Sequence, residues 1–210
     1  ETARREPQVL VCAPSNAAVD WISELLLKRG ASVLRIGNPL RINTSLTECS
    51  YERQYANHPD YSELWGIRKM IRDIHASPEN SRQQHNLLQK LYNKADDLSL
   101  KIETEVLDSA DVITSTLIGS ANPLLQHRHF HTVFIDEATQ ALEAACWTAI
   151  LKADRVIFAG DHQQLPPTIK SPEAAKGGLS DTLMQKIVGA KPAAVTLLDT
   201  QYRMNETIID

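Results

Sequence analysis

Two carboxylates stand side by side at the end of an apolar run, Thr132-Val-Phe-Ile-Asp136-Glu137-Ala-Thr-Gln140. If the run is a buried strand, both acids emerge at the carboxyl edge of a sheet, where open α/β folds bind ligands. One carboxylate can hold Mg²⁺ through water while its neighbour orients and deprotonates an attacking water. The competing reading is a plain helix start, since Asp and Glu suit a helix N-terminus. A second run, Arg155-Val-Ile-Phe-Ala-Gly160, leads into Asp161-His162-Gln163-Gln164-Leu165-Pro166-Pro167. Gly160 permits a tight exit, and Pro166-Pro167 stiffens the end of the loop. An amide held rigidly there, such as Gln164, can sense a terminal phosphate. A third run, Val195-Thr-Leu-Leu198, leads into Asp199-Thr-Gln201-Tyr202-Arg203-Met204. An aromatic followed by Arg at a strand end can stack on a base and clamp a phosphate.

His127, His129 and His131 alternate, so on a strand they share one face. Three imidazoles at that spacing can bind a transition metal. The alternative is a turn followed by the first residues of the strand that ends at Asp136.

The elements that must position these groups are legible in outline. Short β-branched runs fall at 8–13, 32–36, 111–115, 132–135, 155–159 and 193–198. Most are continuous rather than alternating, as in strands of a parallel sheet buried on both faces. A helix is predicted over 16–29, with Val19, Ile22, Leu25 and Leu26 on one face and a stop at Gly30. Another is predicted over 139–152, carrying Ala141, Leu142, Ala145 and Ala149. Alternating strands and helices indicate an α/β sheet covered on both sides.

Residues 49–108 break that rhythm. Leu64, Ile67, Ile71 and Ile74 mark one amphipathic helix. Ser77-Pro78 supplies a cap and first-turn proline for a second, in which Leu88, Leu91, Ala95, Leu98 and Ile102 form a short heptad seam. The pattern predicts an antiparallel helical hairpin inserted between 1–48 and 109–210. Arg68, Lys69 and Arg72 either touch a phosphate backbone or form an ordinary solvated helix face.

Composition narrows the classes. With 42% hydrophobic and 23% charged residues, the chain reads as globular rather than disordered. No apolar run approaches the roughly 20 residues of a membrane-spanning helix, and the opening ETARREPQVL has no signal-peptide core. Cys12, Cys49 and Cys146 are isolated, which suits free thiols in a reducing cytoplasmic or nuclear setting. A net charge of −4 excludes a basic nucleic-acid coat, so any binding must use a local groove.

Taken together, these segments resemble motifs II, III and IV of superfamily 1 helicases. The match is to the 5′-to-3′ branch that holds the nonsense-mediated-decay and immunoglobulin mu-binding helicases. Val9-Leu-Val-Cys-Ala-Pro14-Ser15-Asn16-Ala-Ala-Val19-Asp20 resembles that branch's motif Ia, and Asp111-Val-Ile-Thr-Ser-Thr116-Leu-Ile-Gly119 its motif Ic. The resemblance implies a RecA-like parallel sheet of the P-loop NTPase fold, with a helical subdomain between motifs Ia and Ic. It implies ATP and Mg²⁺ as cofactors and single-stranded DNA or RNA as partner. By the same resemblance Asp136 holds Mg²⁺ through water, Glu137 is the catalytic base and Gln164 reports on the γ-phosphate. Tyr202 would stack on adenine, and Arg203 would contact the γ-phosphate. Ser15, Asn16 and Thr116 would meet the nucleic-acid backbone, although Ser15 reads equally as a helix cap and Thr116 as a buried β-branched residue.

The family's phosphate loop, G-x-x-x-x-G-K-[ST], is the departure: none of the eight glycines is followed by Lys. That loop's amides cradle phosphates and its Lys neutralises them. With it missing, and with Glu1 rather than Met first, the expectation is a fragment of a motor domain lacking its phosphate-loop strand. Such a fragment is expected to be inactive alone and prone to self-association through an open sheet edge. Two other readings are a helicase–nuclease fusion and a nucleic-acid-binding scaffold with a decayed ATPase. Asp136, Glu137, Gln164 and Arg203 together argue against decay.

Overall fold

The structure, a computed structural model, describes residues 1–76, 82–161 and 163–200. After a one-turn helix α1 (Thr2–Arg5) the chain enters β1 (Val9–Ala13), α2 (Asn16–Lys28) and β2 (Val33–Arg35). Next come three helices: α3 (Tyr51–Ala56), α4 (Tyr61–Ala76) and α5 (Arg82–Asp108). The sheet resumes with β3 (Val112–Thr116) and β4 (Phe130–Ile135), then α6 (Glu143–Ile150) and β5 (Ala153–Phe158). A short turn α7 (Pro172–Ala174) and α8 (Leu183–Ala190) complete the regular elements.

The strands form one five-stranded sheet in the order β2-β3-β1-β4-β5, and every pairing is parallel. This is the α/β arrangement of the RecA-like P-loop fold. β1 and β3 are central and almost wholly buried, as their continuous apolar runs predict. Helix α2 ends as the sequence indicates. Gly30 adopts φ 79°, and the N–H groups of Gly30 and Ala31 return to the carbonyls of Leu27 and Leu26.

Helices α4 and α5 form the antiparallel hairpin. Paired side chains run in opposite directions along them: Asp60 meets Lys101 at 2.6 Å, Arg68 meets Ser99 at 3.3 Å and His75 meets Tyr92 at 2.8 Å. Leu64, Ile67, Ile71, Ala95 and Ile102 are buried and belong to the same core as Leu10, Ile113 and Val133 of the sheet. Ser77 and Pro78, expected to cap the second helix, lie outside the described residues.

Four expectations need correction. The buried residues of α2 are Val19, Asp20 and Ser23, while Leu25 is about one-third exposed. Hydrogen bonds override hydrophobic pattern here, because the Ser23 hydroxyl meets Thr114 Oγ1 at 2.8 Å and Asp20 pairs with a buried arginine. The helix expected over 139–152 begins only at Glu143, after a 3₁₀ turn over Ala138–Gln140. The strand expected over 155–159 exists as β5 but is only partly buried, and it pairs with β4 alone among the described residues, at the edge of the sheet. Finally, 193–198 holds a 3₁₀ turn (Pro192–Ala194) and no strand, leaving Leu197 and Leu198 exposed. β propensity needs a paired neighbour to act on, and this segment has none among the described residues.

Candidate functional site

All five strands point the same way, so their exits share one edge. β1 leads through α2 to β2 on one side of the sheet order, whereas β4 leads through α6 to β5 on the other. The neighbours β1 and β4 therefore flank the crevice where the winding reverses, the usual ligand position in such sheets. Asp136 is the first residue past β4, and its N–H donates to the carbonyl of Cys12 in β1 at 2.9 Å. The carboxylate pair sits at that crevice.

Glu137 turns the chain sharply. It holds φ 51° and ψ 37°, the one non-glycine residue with positive φ among the described residues. A side chain in the left-handed region costs roughly 1–2 kcal/mol, so surrounding bonds must hold it there. Ala159, just past β5, donates to Ile135 O at 2.8 Å and accepts from Ala138 N at 3.0 Å, bracketing the turn on both sides. Gly160 comes next at φ 149°, and a Cβ there would sit 3.2 Å from Ala138 N. The sharp exit assigned to Gly160 is thus also a close approach between the two loops.

Asp136 and Glu137 are both half-buried. No described residue pairs with the Asp136 carboxylate, whereas Glu137 Oε2 accepts from Gln140 Nε2 at 3.2 Å. Neighbouring Thr139 is buried, and its hydroxyl has no partner among the described residues. Gln164 is exposed, with its backbone N–H on Asp161 O at 3.0 Å. An open cavity of about 720 Å³ is lined by Gln140, Gln163, Gln164 and Leu165 through Thr168, so the ends of the two acidic-loop segments share one groove. Tyr202 and Arg203 lie outside the described residues.

The other three predicted contacts stand at the exits of β1 and β3. Ser15 is exposed and caps α2, its Oγ accepting from Ala18 N at 3.2 Å. Asn16 Oδ1 accepts from Arg35 Nη2 at 2.9 Å. Thr116, paired with Ala13 across the strands, uses Oγ1 to accept from Gly119 N at 2.9 Å. All three side chains spend an acceptor inside the fold. Their donor protons, two hydroxyls and one amide NH₂, go to no described residue. Donors without competing acceptors suit phosphate oxygens.

The histidines separate. His129 and His131 both meet the Asp154 carboxylate, at 2.7 Å and 3.4 Å, which holds that acid below the usual carboxylate range, chiefly through the His129 bond. No group of three metal-ligating side chains occurs among the described residues.

Gln140, Thr139 and Arg35 border the candidate site, and sequence reasoning assigned them no role. Gln140 stands in plain view three places after Glu137. Arg35 carries a signal too: a charge inside the run Val33-Leu-Arg-Ile36 must find buried partners.

The family model described as "AAA domain" matches residues 1–172. DNA-binding protein SMUBP-2 of Mesocricetus auratus is 37% identical over 212 residues, covering 96% of this chain and 21% of that protein. The regulator of nonsense transcripts 1 homolog of Arabidopsis thaliana is 35% identical, covering 96% of this chain and 16% of its own length. ATP-dependent helicase NAM7 of Saccharomyces cerevisiae is 34% identical, covering 94% and 19%. The chain spans about a fifth of the length of the first of these curated relatives. It belongs to the AAA domain family, with the motor-domain type shared by SMUBP-2 and the regulators of nonsense transcripts.

Proposed function

We propose that this chain supplies the nucleotide-hydrolysing carboxylates and part of the nucleic-acid track of an ATP-dependent helicase or translocase acting on single-stranded DNA or RNA. One observation carries the reading: the Asp136 N–H donates to Cys12 O and Ala159 bonds to Ile135 and Ala138 on either side of the pair, in a turn that holds Glu137 at φ 51°. A strained backbone held by its surroundings is characteristic of a working site.

Asp136 fits a water-mediated Mg²⁺ partner, being a half-buried carboxylate with no ion-pair or hydrogen-bond partner among the described residues. The ion, when bound with ATP, would offset charge on the phosphates. Glu137 takes the proton of the attacking water at one carboxylate oxygen, and Gln140 holds the other, Oε2. Gln164, which lines the same groove as Gln140, reads the γ-phosphate. Tyr202 and Arg203 are assigned to adenine and γ-phosphate by motif alone. Ser15, Asn16 and Thr116 donate to the nucleic-acid backbone, a contact that grips without reading sequence.

The division into a motor domain over 1–48 and 109–210 with a helical insertion over 49–108 belongs to the same proposal, as do a cytoplasmic or nuclear setting and 5′-to-3′ movement. Self-association of this 210-residue chain through the outer edge of β5 is supported by that strand's single pairing. The direct test is phosphate release by the full-length protein with and without single-stranded DNA or RNA. ATP turnover stimulated by one or both is expected. Absence of ATP hydrolysis under every condition contradicts the proposal.

A further inference from the structure

Arg35 is fully buried on β2, and each nitrogen of its guanidinium has an acceptor. Its Nε donates to Asp20 Oδ1 at 2.8 Å, its Nη1 to Ile36 O at 2.6 Å and its Nη2 to Asn16 Oδ1 at 2.9 Å. The second oxygen of Asp20 accepts from Asn43 N at 2.9 Å, at the start of the segment that leads to the helical hairpin. Gly37 leaves room for this fork, since a Cβ there would meet Nη1 at 2.9 Å.

A guanidinium has donors only, so the Asn16 atom facing it must be the amide oxygen. The amide therefore has one allowed orientation, and its NH₂ is the end left over. We propose that Arg35 is a positioning residue: by taking Asn16 Oδ1 it makes Asn16 present donors, never its carbonyl, to a nucleic-acid phosphate at the β1/β3 exits. This rests on the reading of that edge as a nucleic-acid track. A carbonyl turned outward would repel the same phosphate, so the orientation decides between grip and repulsion. Lys in place of Arg35 would reach Asp20 but lacks the planar fork that holds Asn16 as well.

The test uses the full-length protein, with homopolymeric single-stranded DNA and RNA as probes and melting temperature as a parallel readout. Asn16→Asp keeps an oxygen for Arg35 but replaces the NH₂ with a second, charged oxygen. It is expected to hold the melting temperature while weakening binding at least about tenfold, equally for every homopolymer. Asn16→Ala should lower both, with a smaller binding loss than Asp because no charge is added. Arg35→Lys should weaken binding and leave its salt dependence unchanged, because no cation that touches phosphate is lost. Asn16→Asp that binds like wild type, or that melts as early as Asn16→Ala, overturns the role of Arg35. If Asn16→Asp weakens binding while Ser15→Ala and Thr116→Val do not, the Arg35 proposal stands and the wider three-residue track fails. Wild-type protein without affinity for any single strand overturns both.

Discussion

Gln140 and Glu137 are joined across one turn, the amide Nε2 donating to the carboxylate Oε2 at 3.2 Å. The bond uses one oxygen of the acid and leaves the other for a water. It also limits the rotamers of a side chain whose backbone is already held at φ 51°. Gln140→Leu should therefore lower turnover, by roughly tenfold, with nucleotide affinity little changed, because it loosens the proposed base without removing it. Steady-state kinetics on the full-length variant check this. An equal loss in affinity would assign Gln140 to binding instead.

The strain at Glu137 has a separate signature in stability. Glycine removes the left-handed cost of about 1–2 kcal/mol and adds a smaller entropic cost of about 0.5–1 kcal/mol. Glu137→Gly should thus melt no earlier than wild type, whereas β-branched Glu137→Val should be destabilised by more than about 1 kcal/mol. Both should lose activity. Chemical denaturation of the pair gives the answer, and a destabilised glycine variant would mean that the turn is not strained.

Gly160 is the converse case. Its φ of 149° and the 3.2 Å approach of a Cβ to Ala138 N predict that Gly160→Ala pushes the β5 exit away from the acidic turn. The expected cost is about 1–3 kcal/mol of stability together with reduced turnover. Wild-type melting and kinetics in this variant would show that the two loops do not need their close contact.

The sheet and the hairpin were legible because their signals are local. Continuous β-branched runs found every strand of the sheet, and 3-and-4 spacing found α4 and α5. What misled was burial by polar partnership. The Val19–Leu26 stripe of α2 looked like the inner face, but Ser23 and Asp20 go inward because Thr114 and Arg35 satisfy them. The exposed character of β5 and the missing strand at 193–198 are matters of which neighbours a strand has, which no single-strand pattern encodes. Among site residues, motif position placed Asp136, Glu137, Ser15, Asn16 and Thr116 at one sheet edge, whereas Arg35 became visible only once Asn16 had a partner.

The three cysteines provide a test of core integrity. Burial pushes the Cys12 thiol up to about 12, outweighing the Ser115 contact that lowers it, and pushes Cys146 to about 11 and Cys49 upward as well. Thiolate is the reactive form, so native protein near pH 8 should resist alkylation at all three positions until it unfolds. Because these folded values lie above the ordinary 9.0, the neutral-thiol contribution to stability is complete below about pH 9. It is lost as pH rises towards the folded values, so melting temperature should fall above about pH 9. Rapid labelling of Cys12 in native protein would contradict the buried central strand.

The assignment of Glu137 as the base is the centre of the account, and Glu137→Gln tests it most directly. Gln matches Glu in size but cannot take a proton from water, so folding and ATP affinity should stay near wild type while turnover falls by roughly 10²–10⁴. Asp136→Ala in parallel should weaken metal-dependent nucleotide binding as well as turnover. The measurement is the single-turnover ATP hydrolysis rate of full-length Glu137→Gln at saturating nucleotide, alongside its ATP affinity and melting temperature. A rate loss of that size with affinity and melting unchanged is the predicted result; a near-normal hydrolysis rate would show that Glu137 is not the base.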